Sequence, residues 1–420
     1  MLMLCCLKSD ADKGEGKGKG SPHVKAGKKG RAKVDNAPGA FGSPVPMSPT
    51  SDDDEFHDAE DSLETLADHV GSGDGTALEK SFSAAVRDAA SEVTLLEGRA
   101  SERDTKSVGP ESCVIPQHDI PFADPASGKA LSWSANKSGE GFRLRGKNYL
   151  RDKKKFPSLA PLFDVVQVLA LRSDTKTLDI GTLLYDNQVG ELIHGCPTVY
   201  VANLMLPDYP PPNPVFGKYD RKVGPDGKGQ HIIVVASMSH ETREILKKSD
   251  GDTKKMSPEI ALMSSHFNAA CDARGLDAPP HANSARHVTK MVCMVAAGAE
   301  ALPWAVRVAI GQGNGKPFMV NKTGFFTKHG GVFECGVNAH NFGPVATNGL
   351  RNCHGYFKKL TLDIGVTLQG NTETELPERL LFAFRAVKPD LDAIKTHVDD
   401  IRNLTTGKTG KPWLDWDAVR

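Results

Sequence analysis

The chain has 420 residues, and its 52 Lys and Arg balance its 52 Asp and Glu, so the formal net charge is zero. A neutral balance gives no overall attraction to nucleic acid, and we predict no nucleic-acid partner. The length allows more than one domain, but the composition divides the chain unevenly.

The first 110 residues are rich in Gly, Ser, Pro, Lys and acidic residues and poor in aromatic residues. Such a segment buries too little apolar surface to offset the loss of chain entropy on folding. From Cys113 onward, apolar runs recur regularly. We therefore predict a long disordered N-terminal arm over residues 1–110 and one folded domain over residues 111–420.

The arm has a basic block over residues 8–33 and an acidic tract over residues 51–61, which indicates two separate partners. At its start, the adjacent Cys5 and Cys6 have apolar neighbours and precede the basic block. Stable lipid anchoring needs two acyl chains, or one chain with a polybasic patch. Acylation of Cys5 and Cys6 is one interpretation, and a pair of unmodified cysteines is the other.

The remaining cysteines argue against several kinds of site. None of the eight cysteines forms a C-x-x-C pair, so we predict no metal site, no disulfide framework and a reducing compartment. Cys196 and Cys353 are predicted to be packed thiols. No apolar run is long enough to span a bilayer, which favours a cytoplasmic protein.

The folded domain is predicted to be of the α+β class, a mainly antiparallel sheet with a few helices. Ser257 followed by Pro258 predicts a helix that runs to about Ala273. Two closing helices are predicted over residues 372–384 and 391–404. Apolar, β-branched runs predict strands over residues 162–171, 198–206, 231–238, 304–310, 317–320, 332–337 and 359–368.

The most distinctive stretch of the domain is 141–156. Phe142 and Leu144 alternate with basic residues, as in a strand with one apolar and one basic face, and Tyr149 and Leu150 are predicted to anchor the stretch by packing. We interpret the stretch as a site for anionic lipid head groups, and the alternative is a solvated basic edge that discourages aggregation. The residues assigned to the lipid are Arg143, Arg145, Lys147, Arg151, Lys153, Lys154 and Lys155.

Together with Trp133, this stretch resembles the opening signature of the Enhanced Disease Resistance 2 C-terminal domain family. Further matches follow in the family's order at residues 198–204, 303–307, 315–317 and 360–377, so the resemblance covers roughly residues 110–392. In plant members this domain usually follows a pleckstrin-homology domain and a START lipid-binding domain, and we expect neither in the first 110 residues. The resemblance implies a connection to lipids through these usual neighbours.

The acidic tract carries a second resemblance, to the motif of two phenylalanines in an acidic tract that binds VAP receptors of the endoplasmic reticulum. His57 stands in the place of the second aromatic residue, and Asp61 stands where Glu is usual. This resemblance implies a VAP-type receptor as partner, and the alternative is a plain acidic kinase-substrate tract. The residues of the motif are Glu55, Phe56, His57, Asp58, Ala59 and Asp61.

Catalytic motifs were not found in the sequence. The Gly-rich residues 311–317 lack the spacing of a phosphate-binding loop and are predicted to form a hairpin turn, and Glu334 and Asp363 have no obvious partner. We therefore predict no catalytic residues, no cofactor and a non-enzymatic protein. The basic stretch 141–156 favours a lipid-binding, cytoplasmic protein that is peripheral on membranes, and the resemblance of the acidic tract implies a tether to the endoplasmic reticulum.

Two other functions stay open, a protein-interaction scaffold in defence or stress signalling and a hydrolase with an unrecognised site. A lipid-sized cavity that opens near Arg145 would favour lipid binding. A filled core with a flat basic face would favour the scaffold, and an acid/base pair in a cleft would favour the hydrolase.

Overall fold

The computed structural model describes residues 113–184, 190–208, 228–269, 288–320, 323–342, 347, 350 and 353–400. The predictions for the arm, which include Cys5, Cys6, the basic block and the acidic tract, lie outside these residues.

The described strands and helices are numbered here in chain order. The strands are β1 Ser132–Ala135, β2 Arg143–Arg145, β3 Lys155–Pro157, β4 Phe163–Ser173, β5 Leu192–Ile193, β6 Cys196–Pro197, β7 Val199–Pro207, β8 Gly229–Met238, β9 Thr289–Ala297, β10 Pro317–Met319, β11 Gly324–His329, β12 Val332–Asn338, β13 Thr361–Leu368 and β14 Leu380–Val387. The α-helices are α1 Tyr149–Asp152, α2 Ile180–Leu184, α3 His240–Ser249, α4 Pro258–Ala269 and α5 Trp304–Gly313.

Ten of these strands form two five-stranded sheets. Sheet I has the order β11-β12-β7-β8-β4, and sheet II has the order β1-β14-β13-β9-β10. Strands β12 and β7 run parallel. The other neighbours in both sheets are antiparallel. Mainly antiparallel sheets with a few helices confirm the predicted fold class.

The main core lies between the two sheets, because alternate side chains of each strand point toward the other sheet. Tyr200 of β7 is fully buried at its centre. The centroid of its ring lies 5.4 Å from that of Phe333 in sheet I, 5.3 Å from that of Phe382 in sheet II and 6.2 Å from that of Phe267 in α4. Aromatic contacts therefore join both sheets and one helix.

The opposite face of each sheet is covered by a smaller layer. On sheet I, Val201 and Ile233 pack under α2 through Ile180 and Leu184. On sheet II the covering layer is residues 141–157, in which β2 and β3 pair antiparallel on either side of the short helix α1. This segment is called the basic hairpin below.

Two segments differ from the sequence prediction. Residues 304–310, predicted as a strand from Val306, Val308 and Ile310, lie in helix α5, where Ile310 is buried and Val308 is exposed. Residues 372–384, predicted as a helix, form a short 3-10 turn at Glu373–Glu375 and then strand β14. Pro377 separates the two, and a proline cannot donate the hydrogen bond that a helix interior requires.

Other predictions are met in part. Helix α4 begins at Pro258, as expected, and is described to Ala269. The predicted helix over residues 391–404 begins as a 3-10 turn at Leu391–Ala393, and its last four residues lie outside the described part. Helix α3 was missed, although Ser239 is a typical N-cap that accepts a hydrogen bond from the Thr242 amide at 3.3 Å.

Candidate functional site

The inner side of the basic hairpin is fixed to sheet II by apolar contacts. Phe142 is 1 % exposed and Leu144 is 6 % exposed. Both pack against Val292 of β9 and against Leu380 and Ala383 of β14. The predicted alternation of an apolar face with a basic face is therefore correct for these two residues.

Below this contact lies a buried ionic cluster around Glu378. One carboxylate oxygen of Glu378, Oε1, lies 2.5 Å from Lys290 Nζ and 3.7 Å from Arg145 Nε. Arg145 Nη1 also donates to the Gly370 carbonyl at 3.1 Å, and the guanidinium lies 4.7 Å from the centroid of the Tyr149 ring. Burial lowers the pKa of Lys290 to about 8, and the Glu378 carboxylate opposes that shift.

Arg145 therefore differs from the other residues assigned to lipid. It is only 8 % exposed, and its charge faces Glu378 inside the protein. The backbone repeats this connection, because the Glu378 amide donates to the Arg145 carbonyl at 2.9 Å. We assign Arg145 to the attachment of the hairpin.

The outer side of the basic hairpin carries five of the other six assigned residues, and Arg143, Lys147, Arg151, Lys153 and Lys154 are all exposed. Lys155 is half-buried, pairs with Arg145 across the β2–β3 ladder, and its charge helps to lower the pKa of the buried Lys290. Arg151 Nε lies 3.4 Å from Glu373 Oε1, but both side chains are mostly exposed, so water weakens this pair. Lys147 and Lys154 form no ion pair with any described residue.

The two predicted anchors of the hairpin behave differently. Tyr149 is 3 % exposed, which confirms its packing, and its ring also lies 5.7 Å from Lys153 Nζ. Leu150 is 36 % exposed and does not anchor the segment. Phe156 and Leu159, for which no role was predicted, are 53 % and 60 % exposed.

A small apolar cavity lies between the two sheets. Its volume is about 80 Å³, and its walls include Trp133, Phe357 and Phe384. A cavity of about 150 Å³ holds one benzene molecule, so this space is far too small for a whole lipid. Its lining residues come from both sheets, for example Leu204 of sheet I and Phe384 of sheet II, whereas the basic hairpin covers the opposite, outer face of sheet II. It therefore has no mouth near Arg145.

A second buried polar cluster lies under α2 on the far side of sheet I. Glu334 accepts from the Gly181 amide at 2.7 Å and from Asn203 Nδ2 at 3.0 Å, and Asn203 Oδ1 lies 2.8 Å from His231 Nδ1. Burial raises the pKa of Glu334 to about 7 and lowers that of His231 to about 3. All three side chains are at most 2 % exposed, so the cluster does not face a cleft.

The other residues named from the sequence lie in ion pairs, in the core or in regular elements of the fold. Asp363 forms a two-point ion pair with Arg385, its cross-strand partner, at 2.7 and 2.8 Å. Cys196 and Cys353 are buried thiols, as predicted. Residues 311–317, predicted as a hairpin turn, contain the end of α5 and the start of β10.

Within the described ranges, no helix has the length and apolar character needed to cross a membrane. The same ranges contain no group of three or more His, Cys, Asp or Glu residues placed to hold a metal ion.

The sequence of this chain gives no significant match to a curated protein or to a solved structure. Residues 133–390, more than half of the chain, match the family described as Protein ENHANCED DISEASE RESISTANCE 2, C-terminal. This range starts at Trp133 in β1, includes the basic hairpin and both sheets, and ends just after β14. The chain therefore belongs to the Enhanced Disease Resistance 2 C-terminal domain family.

Proposed function

We propose that this chain is a non-enzymatic, peripheral membrane protein that binds anionic lipid head groups through the outer side of the basic hairpin. The observation that carries the proposal is the set of five exposed basic side chains on one segment whose inner side is locked to sheet II. Asp152 is the single acidic residue among residues 141–157. Each Lys or Arg near an anionic surface contributes about 1 kcal/mol, so this surface favours an anionic bilayer.

The bound lipid stays in the membrane in this proposal. The inter-sheet cavity is too small to hold a lipid and lies on the other face of sheet II. Head groups at a bilayer surface need no such cavity, because exposed lysines reach them directly.

The absence of catalysis is also part of the proposal. The pKa of Glu334 is raised to about 7 and that of His231 is lowered to about 3, and such opposite shifts are often the sign of an acid and a base. Here both are buried under α2 and joined through Asn203, so a substrate would have no direct approach. Their arrangement supports a structural role.

The arm adds a second attachment to the proposal, through a VAP-type receptor of the endoplasmic reticulum. A peptide spanning residues 46–66 should bind the cytosolic domain of such a receptor, and Phe56→Ala or Asp58→Ala should abolish binding. Acylation of Cys5 and Cys6 would add a lipid anchor, and mass spectrometry of the cellular protein identifies it directly. Unchanged peptide affinity in both variants would remove the tether from the proposal.

The test of the proposed function is flotation of the full chain with vesicles. Vesicles of phosphatidylserine and phosphatidylcholine should bind the protein more strongly than vesicles of phosphatidylcholine alone. Added salt should weaken binding, because exposed charges are screened beyond about 8 Å at physiological ionic strength. Equal binding to both kinds of vesicle at low salt would contradict the role of the basic residues. Binding to neither kind would contradict the whole proposal and favour a protein-interaction scaffold.

A further inference from the structure

The basic hairpin and the residues just after it expose unusually many large apolar side chains. Eight large apolar residues of the described chain are exposed, and three of them, Leu150, Phe156 and Leu159, lie within ten residues of one another. Phe156 and Leu159 are more than half exposed. Scattered exposed apolar residues are normal on a protein surface, but a group of them indicates an interaction site.

Phe156 is held in place by the hairpin. It pairs with Leu144 across the β2–β3 ladder, and Leu144 is buried while Phe156 is not. The Phe156 ring lies over Gly146, where an added Cβ atom would come within 2.3 Å of a ring carbon. The glycine thus leaves space for the ring to lie against the backbone.

The backbone at Leu159 is fixed in a similar way. An added Cβ atom on Gly139, whose φ is +75°, would lie 2.4 Å from the Leu159 carbonyl oxygen. The Ser158 amide also donates to the Phe142 carbonyl at 2.8 Å. Leu159 therefore follows a backbone that is tied to the buried part of the hairpin.

We infer that Phe156 and Leu159 form an apolar insertion site that enters the acyl-chain region of an anionic bilayer beside the head groups bound by the basic residues. This inference rests on the proposed function and deepens it. The exposed Lys153 and Lys154 precede Phe156 by three and two residues, so the charge that attracts an anionic surface is close in sequence to the apolar side chains. Apolar side chains bordered by Lys and Arg are typical of proteins that lie in the membrane interface.

The first test is vesicle binding by a double variant of the full chain, Phe156→Ser with Leu159→Ser. The partition coefficient on phosphatidylserine–phosphatidylcholine vesicles should fall about tenfold or more, because each side chain leaves an apolar environment. The loss should persist at high salt, which screens charge but does not weaken apolar contacts. The matched control is Leu192→Ser with Trp304→Ser, since these residues are 52 % and 65 % exposed outside the hairpin. The control should bind like the wild type.

The second test does not depend on loss of binding. A Phe156→Trp variant should show fluorescence that is quenched by vesicles with brominated acyl chains more strongly than that of the wild type. Such quenching would support insertion even if the double variant were unstable in a thermal melt.

The outcomes separate the inference from the proposed function. Unchanged binding by the double variant, with no extra quenching, would overturn insertion, and it would leave binding through the lysines intact if the wild type still prefers anionic vesicles. An absence of wild-type binding to anionic vesicles would overturn both.

Discussion

The inner and outer sides of the basic hairpin contain the same types of residue in different surroundings. Arg145 on the inner side is buried beside Glu378, whereas Lys154 on the outer side is exposed and has no ion pair among the described residues. Separating one partner from a buried ion pair is strongly unfavourable, so Arg145 ties the hairpin to Glu378, whereas an exposed charge is available to a partner. The position of a basic residue relative to the sheet therefore decides its role, and the density of basic residues in the sequence does not.

The largest expected effect comes from removing the carboxylate on the inner side. Glu378→Ala leaves Lys290 and Arg145 buried without their shared partner, and the free energy of unfolding should fall by about 3–5 kcal/mol. Urea unfolding measures this loss. The control is Glu373→Ala, which removes the exposed partner of Arg151 and should change stability by less than about 0.5 kcal/mol. Equal stability of the two variants would show that the ionic cluster does not attach the hairpin.

Removal of the buried Tyr149 ring should lower the stability of the fold. Tyr149→Ala removes a packed ring that lies against Arg145 and Lys153, and we expect a loss of about 3 kcal/mol of stability. The measurement is the melting temperature, and the control is Leu150→Ala, which truncates an exposed neighbour. Equal melting temperatures for Tyr149→Ala and Leu150→Ala would contradict the packing of Tyr149.

Glu334 is a buried carboxyl that can be compared with Glu378. Glu378 faces two cations, whereas the hydrogen bonds described for Glu334 come from amide groups. The pKa of Glu334 is raised from 4.5 to about 7, so the folded chain retains a proton that the unfolded chain releases between these pH values. This contribution to stability is complete below pH 4.5 and is lost as the pH rises to about 7. Glu334→Gln has no such proton to lose.

The difference in unfolding free energy between Glu334→Gln and the wild type should therefore grow in favour of the variant from pH 4.5 to about 7. The change is on the order of 3 kcal/mol. His231, whose pKa is lowered to about 3, has the opposite pH dependence. It is present in both proteins, so its contribution cancels when the two unfolding free energies are subtracted. Urea unfolding at several pH values measures this difference, and parallel curves would show that Glu334 is ionised throughout.

Local pattern predicted seven of the fourteen described strands, and among them β4 and β7 have apolar runs that match their buried positions. Strands β9 and β11 were not predicted. The run 198–206 became β7, where Val199, Val201 and Tyr200 are buried on the two faces of sheet I. The run 304–310 has similar composition but follows Pro303 and forms α5, so β-branched residues alone did not decide the element. The charged ends of α3, Glu241 and Lys247, were a signal in the sequence that went unused.

The candidate site was predictable only as a group of basic residues. The burial of Arg145 depends on Glu378, 233 residues away in sequence, and local spacing cannot predict such a contact. The exposure of Phe156 was equally hidden, since an apolar residue in a strand usually packs. Both facts come from the way the hairpin lies on sheet II.

The central claim is that the outer lysines bind an anionic membrane, and a matched pair of triple variants tests it most directly. The first variant replaces by Ala three exposed lysines on the outer side of the hairpin, Lys147, Lys153 and Lys154. The second replaces Lys248, Lys254 and Lys255, which are exposed on another part of the domain, and has the same change in net charge.

Flotation of both variants with phosphatidylserine–phosphatidylcholine vesicles at low salt is the measurement. The first variant should lose most of its binding, at about 1 kcal/mol per lysine, while the second binds like the wild type. Thermal melts of both should match the wild type closely, because all six side chains lie outside the core. Equal binding by the two variants and the wild type would contradict the claim and assign the hairpin lysines to solubility.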